Sequence, residues 1–490
     1  MSQENNNGED SRRELYERFS GDLIENRGAM FYDREDLVEL YDYANDVEDR
    51  YVALEVLFCG ERLYPGDVAL AERRALYYYS LDEGACRKAL AALPDDSMIG
   101  KLLALRLDRV NKDEASRTFE GLLMSRPEFT DEEIIQLADT AEELDMYEWL
   151  KEHKEAICAH TDYPQTFLYE LSQIAMEQDP DYAVTILEEL TMLEPFTADF
   201  WLSMAQVLIS DHKALEKALD AIEFSLAIEP DNARALMMKA QCYNELDYPL
   251  DKVEPILRRV IEMSPQISAA TLALALLYSN VGRKEEAMKM LLDYNSKYPG
   301  DPQVLEVLLT VSNGNLSQNL VKSFLKPELA PYRDNFVEMA EKLASEGLHG
   351  GAAILLTSLE EIYGLPHDLD LMMEALYRNN RYEEIIARYD GLRHKDAIGA
   401  YPTDLSERMA TFYYLMSRIR LGMLAGLLEK VKGLKENTSG GPDTPIDDLM
   451  RSSVMLSLFS AIENLLEQHA DGSEISVEEI NEIDPFGNLK

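Results

Sequence analysis

The chain has 490 residues, with 47 Lys and Arg against 92 Asp and Glu, a formal charge of −45 at neutral pH. Phosphate binding needs a basic footprint, so this balance argues against direct nucleic-acid partners and against anionic membrane surfaces. Apolar content of 46 % is ample for burial, yet the length exceeds what one ordinary core serves, so a modular architecture is expected.

In chain order, residues 1–18 read as disordered: the opening MSQENNNGEDSRRELYER is polar throughout, with no apolar signal region. No later stretch reads as a membrane span, and the expectation is a soluble cytoplasmic protein. From Pro65 onward, prolines keep step at Pro65, Pro94, Pro127, Pro164, Pro195, Pro230, Pro265, Pro299, Pro331, Pro366 and Pro402. The intervals are 29, 33, 37, 31, 35, 35, 34, 32, 35 and 36 residues. A period of about 34 with one loop proline each marks an array of helix pairs. The segment before Pro299 is the clearest, with Leu274, Ala275, Tyr278, Gly282, Ala287, Leu291 and Tyr294 in order. Small Ala275 and Ala287 suit close helix crossings, Leu274, Tyr278 and Leu291 fill the space between, and Gly282 can end the first helix in a left-handed conformation. The proline then closes the second helix, since it has no N–H to continue the ladder. An acidic first turn follows it, as in Pro230-Asp231-Asn232 and Pro94-Asp95-Asp96. The second-helix spacing recurs at Ala53, Leu57, Gly60 and Pro65, at Ala115, Phe119, Leu122 and Pro127, and at Ala183, Leu187, Leu190 and Pro195.

These motifs resemble the tetratricopeptide (TPR) pattern, with Trp201 standing where that pattern places its tryptophan. The resemblance runs over roughly residues 31–437, is weak around Glu152–Pro164 and poor between Val311 and Pro331. It implies an all-α fold: a right-handed superhelical solenoid of about eleven TPR-like helix-turn-helix repeats with a C-terminal capping helix. The expected divisions are 19–310 for the N-terminal array, 311–437 for more degenerate repeats, 438–469 for a linker and capping helix, and 470–490 for a flexible acidic tail. Residues 311–331 read as a hinge or one distorted repeat, and the surviving proline phase favours the latter.

Signals for chemistry are missing from the sequence. It has no phosphate-binding glycine loop, dinucleotide fingerprint, zinc-protease motif or nucleophile elbow. Cys59, Cys86, Cys158 and Cys242 are scattered through helical, mostly apolar stretches and read as buried reduced thiols. His153 and His160 could share a helix face, but no ligand set surrounds them. The expectation is a non-enzymatic protein with no cofactor or metal.

The TPR resemblance further implies a groove lined by first helices. Carried onto this chain, Leu202, Gln206, Met237, Gln241, Asn244, Leu272, Leu276 and Asn280 would face a bound peptide or helix, and without a basic clamp there no acidic chaperone tail would bind. Asp484, Pro485 and Phe486 form a candidate docking motif in the tail. The leading expectation is a scaffold or adaptor for a basic or amphipathic-helical protein partner. Its alternatives are an acidic chaperone or decoy for nucleic-acid-binding proteins, and a regulatory subunit of an enzyme complex.

Overall fold

The computed structural model describes residues 2–24, 32–210, 214–326, 332–364, 369–394, 405–438 and 446–483. Regular structure among them is helical, without a strand, and none of these helices is long and apolar enough to cross a membrane. Contacts divide the chain into two compact units, Met1–Leu246 and Asp247–Lys490.

The N-terminal unit runs α1 (Ser2–Ile24), α2 (Arg34–Asp46), α3 (Arg50–Leu63), α4 (Val68–Tyr79), α5 (Glu83–Leu90), α6 (Met98–Asp108), α7 (Lys112–Ser125) and α8 (Asp131–Glu143). It continues through α9 (Tyr147–Glu152), α10 (Lys154–Cys158), α11 (Pro164–Gln178), α12 (Pro180–Leu193), α13 (Ala198–Ser210), α14 (Leu215–Ile228) and α15 (Ala233–Glu245). Successive first helices touch, α2 on α4, α4 on α6, α6 on α8 and α8 on α11, so one helix per repeat contributes to a shared face. Short polar caps start most helices: Asp33, Asp49, Asp67, Asp82, Ser97, Asn111, Thr130 and Asn232 each accept from a backbone N–H of the first turn. The acidic residues expected inside the first turn after Pro94 and Pro230 therefore precede the helices, with Ser97 and Asn232 as the caps.

Three details depart from the sequence reading. Residues 2–24 form one helix, whereas residues 1–18 were expected to be disordered: the Tyr16 hydroxyl donates to Asp49 at 2.7 Å, Arg12 pairs with Glu39 at 3.1 Å, and Phe19 just beyond is fully buried. Tyr16, Phe19 and Leu23 stand at helical spacing and pack on the α2–α3 core, which outweighs the polar composition. Pro164 opens α11 at its first position instead of closing a helix, because proline's missing N–H costs nothing there. The weakly matching stretch before it holds two short helices, α9 and α10, whose Trp149 and Ile157 are buried.

The C-terminal unit runs α16 (Leu250–Met263), α17 (Ser268–Asn280), α18 (Lys284–Lys297), α19 (Pro302–Ser312), α20 (Gln318–Phe324), α21 (Arg333–Ser345) and α22 (His349–Tyr363). Then come α23 (Leu369–Arg378), α24 (Tyr382–His394), α25 (Leu405–Arg420), α26 (Leu427–Thr438), α27 (Ile446–Gln468) and α28 (Val477–Ile483). In α17 and α18, Leu274, Ala275, Ala287 and Leu291 are fully buried and Tyr278 is 2 % exposed. Gly282 takes φ +83°, the left-handed turn its position demands.

The break after Val311 is a shortened repeat: α20 has seven residues and buries Val321 and Phe324. Asn313 (φ 46°) ends α19, and its side-chain oxygen accepts from the N–H groups of Gly350 at 3.0 Å and Gly351 at 3.4 Å, capping α22 from another helix.

At the C-terminal end α27 packs on α26, with Phe459 and Ile462 buried alongside Leu427, Val431 and Leu434, which covers the last repeat's apolar face. Residues 470–483, expected to be flexible, include α28. Ile480 is 4 % exposed, Asn481 accepts from Arg420 at 2.7 Å, and His469 contacts Glu479 at 3.1 Å. A reciprocal Ser476–Glu479 cap starts this helix, which explains its order despite the acidic composition. Pro331, Pro366, Pro402 and the Asp484-Pro485-Phe486 motif lie outside the described residues.

The division into units falls between Leu246 and Asp247, well before the expected boundary at residue 310. Cys59, Cys86 and Cys242 are buried and Cys158 partly so; burial pushes the Cys158 and Cys242 thiols up to about 11, keeping them unreactive at neutral pH.

Candidate binding surface

The sequence-predicted groove residues divide between the two units. Leu202, Gln206, Met237, Gln241 and Asn244 belong to the N-terminal unit, and Leu272, Leu276 and Asn280 to the C-terminal unit. Leu202 is 1 % exposed and Leu272 8 %, so both are core residues that no partner can reach. Leucine at these helix positions packs against the neighbouring helix, and removing it from water outweighs any contact role. Gln206 and Met237 are half-buried, while Gln241, Asn244, Leu276 and Asn280 are exposed. Gln206 and Gln241 hydrogen-bond along their own helices, to Ser210 at 3.2 Å and Glu245 at 2.8 Å.

A more structured surface lies earlier in the chain. A cavity of about 570 Å³ is walled by the first helices α2, α4, α6 and α8. Asp42 and Asp46 come from α2, Arg73, Tyr77 and Tyr79 from α4, Arg106 from α6, and Glu132, Gln136 and Asp139 from α8. The last three stand four and three residues apart, so helical geometry puts them on one face.

Two arginines brace the wall. Arg73, 12 % exposed, forks onto Asp42 through two 2.7 Å hydrogen bonds. Arg106, 8 % exposed, donates to Glu143 and, at 2.9 Å, to Gln136, and it stacks on the Tyr79 ring at 4.2 Å. The Tyr79 hydroxyl donates to the other Glu143 oxygen at 2.6 Å. Burial opposes the Glu143 charge, but the hydrogen bonds from Arg106 and Tyr79 prevail and hold its carboxyl below the usual range. The Arg106 Nε–H is buried and has no acceptor among the described residues.

Other carboxylates on this wall lack such partners. Among the described residues neither Glu132, Asp139 nor Asp46 has a Lys or Arg within ion-pairing distance, and burial lifts all three above the usual carboxylate range. Glu132 faces Asp42 and the already engaged Arg73; Asp139 faces Glu142, Glu143 and the engaged Arg106. Glu170 on α11 is raised in the same way, by burial and then by Asp139 and Glu142. The Gln136 amide nitrogen donates to Glu132 at 3.2 Å and to Asp139 at 3.4 Å, so both carboxylates converge on one small polar group.

A carboxyl raised in the folded state binds its proton more tightly folded than unfolded. Folding is then favoured at acid pH, and that contribution is lost as pH rises from the unfolded value through the raised one. Asp139→Asn should therefore raise the melting temperature at pH 7, by roughly 2 °C, and do less at pH 4, closer to the range where the carboxyl takes up its proton. Thermal melts of both proteins at the two pH values check this, and an equal shift at both would refute it.

The sequence analysis missed this wall because acidic residues are so frequent here that adjacency carries no information. The usable signal was the Glu132, Gln136, Asp139 spacing on a first helix. Elsewhere, both His160 ring nitrogens lie within 2.8 Å of backbone carbonyls, His153 contacts the Trp149 carbonyl at 2.9 Å, and no group of three or more His, Cys, Asp or Glu among the described residues is placed to hold a metal ion.

No protein-family model matches the sequence, and no curated protein is similar to it. Among solved structures it is similar to MamA, at 16 % identity over 38 % of this chain and 96 % of that one, with a TM-score of 0.30. The C-terminal part of a TPR repeat-containing protein from Cytophaga hutchinsonii matches at 12 % identity over 55 % and 99 % of the two chains, TM-score 0.34. The human IFIT1 dimer with m7Gppp-AAAA matches at 14 % identity over 88 % and 95 %, TM-score 0.34. Superpositions this loose carry no argument about function. By its own helices and proline phase, the chain is an all-α, TPR-like helix-pair repeat protein.

Proposed function

We propose that this chain is a non-enzymatic interaction scaffold whose N-terminal unit holds a basic segment of a protein partner against the first helices α2, α4, α6 and α8. One observation carries the reading: Glu132 and Asp139 line a concave wall, are partly buried, and have no cation of this chain within ion-pairing distance among the described residues. Keeping carboxylates in that state costs stability, and a cationic partner recovers the cost on binding. The net charge of −45 adds long-range attraction for the same class of partner and repels acidic peptides.

The test is fluorescence polarisation of the full chain with labelled octa-arginine and, as control, labelled octa-glutamate. Octa-arginine should bind, weakening by about tenfold between 50 and 300 mM salt as exposed charges are screened, and octa-glutamate should not bind. Failure of octa-arginine to bind at low salt would sink the reading.

A further inference from the structure

We infer that the exposed aromatic surface of Phe196, Trp201 and Phe224, with Met192 in the helix turn before it, docks a basic amphipathic helix of a protein partner. None of these residues lines the cavity walled by α2, α4, α6 and α8, and the inference does not depend on that site. Packing buries the apolar faces of α12, α13 and α14. Yet Met192, in the last turn of α12, is 82 % exposed, Phe196, in the loop that follows, 84 %, and Phe224, on α14, 54 %. Half-buried Trp201 on α13 ties loop and helix together. Its ring stacks on Phe224 with centroids 4.5 Å apart, and its indole N–H donates to the Pro195 carbonyl at 2.9 Å. The one polar group of the indole is therefore satisfied within the chain. The stack and the hydrogen bond also fix the ring, so presenting it to a partner costs little entropy. Apolar patches with rigid aromatic anchors and a polar rim are the composition of protein interfaces.

The charge around this surface says what covers it. From Glu155 to His212 the sequence holds no Lys or Arg at all, while Asp and Glu recur through it. Glu188 stands one helical turn before Met192 on the same face of α12, Glu194 lies beside Pro195 at the start of the loop, and Asp199 is in the first turn of α13 ahead of Trp201. All three are exposed. A second copy of this chain meeting the patch with its own would bring like charges together, and an anionic membrane surface is repelled in the same way. The occupant must instead carry apolar side chains flanked by cations. A helix with apolar residues at every third or fourth position sorts the two into a stripe and its flanks, whereas an extended segment alternates them. Lysine or arginine on such a helix can pair with the rim carboxylates, and its cation is also attracted to the faces of the aromatic rings.

The experiment measures, by fluorescence polarisation, binding of the full chain to a labelled helical peptide of leucine and lysine with the leucines on one face. Salt is held at about 300 mM, where purely charge-driven binding is screened. Two control peptides have the same length: the same residues shuffled so that the face is lost, and a version with glutamate in place of lysine. The segregated basic peptide should bind at least tenfold tighter than either. Met192→Ser/Phe196→Ser, which changes two side chains that stand almost wholly in solvent, should weaken that binding at least tenfold and leave the melting temperature unchanged. Asp95→Asn/Asp96→Asn, which removes two exposed charges from another loop, should not weaken it. The inference is overturned if the basic peptide does not bind, if the shuffled or glutamate peptide binds equally well, or if Met192→Ser/Phe196→Ser binds like the parent. Loss of binding in Glu132→Gln/Asp139→Asn but not in Met192→Ser/Phe196→Ser would place the peptide in the cavity instead. Sedimentation velocity of the chain alone covers the remaining occupant: a self-association abolished by Met192→Ser/Phe196→Ser would assign the surface to a second copy and overturn the inference.

Discussion

Gly350→Ala should destabilise the C-terminal unit by roughly 3 kcal/mol or more, although alanine is the better helix former by ~1 kcal/mol. The reason is the contact between α22 and the end of α19. A Cβ built on Gly350 would stand 2.0 Å from the carbonyl oxygen of Asn313 and 3.0 Å from its side-chain oxygen. Neither can swing away, because the Asn313 backbone terminates α19 and its side chain caps the α22 N–H groups. Gly314 faces the same contact from the other side: with φ +79°, its own Cβ would meet the Gly350 carbonyl at 2.0 Å. Two glycines thus let two backbones touch, and a methyl on either forces the helices apart. Gly391→Ala is the control, since that helical glycine has nothing within 4 Å and should gain stability, by up to ~1 kcal/mol. Denaturant titration of each variant, with hydrogen exchange read over α19–α22, measures the effect. Unchanged protection there in Gly350→Ala would refute the account.

Arg106→Ala should cost the N-terminal unit ~1–3 kcal/mol, because it strips the donors of a buried guanidinium from Gln136 and from Glu143, which at 42 % exposed keeps part of its hydration. Glu143 would keep only the Tyr79 hydroxyl, the Gln136 side-chain oxygen would lose its donor, and the Tyr79 ring would lose the guanidinium stacked on it. Removing the whole pair, as Arg106→Met/Glu143→Leu, should cost much less than Arg106→Ala, since matched apolar groups leave no charge unpaired. Chemical denaturation of the three proteins decides it. A double variant as unstable as the single would show that Arg106 acts through packing alone.

The order of these effects shows what could be read from residues. Leu274, Ala275, Tyr278, Ala287 and Leu291 are buried as their spacing required, and Gly282 has its positive φ, because those features depend on positions within one helix pair. The same local logic failed at α1, where composition outvoted a three-residue apolar stripe, and at α28, where a short cap and contacts to residues about 60 positions away hold an acidic segment in place. It failed again at the groove: Leu202 and Leu272 carry the right residue type at a first-helix position, but which face of a helix is covered depends on the helix stacked beside it.

By itself, then, the sequence determined the periodicity, the helix-pair repeat and the acidic field. These follow from propensity, proline chemistry and charge, which act over one or two turns of chain or over the whole composition. Tertiary structure alone decided that Arg106 reaches Glu143 and Gln136 across a 37-residue and a 30-residue separation. It also decided that Glu132 and Asp139 converge on the Gln136 amide, and that Asn313 caps a helix 37 residues away. Each of these is set by which helices stack side by side and how far each side chain is desolvated, quantities that no single repeat encodes.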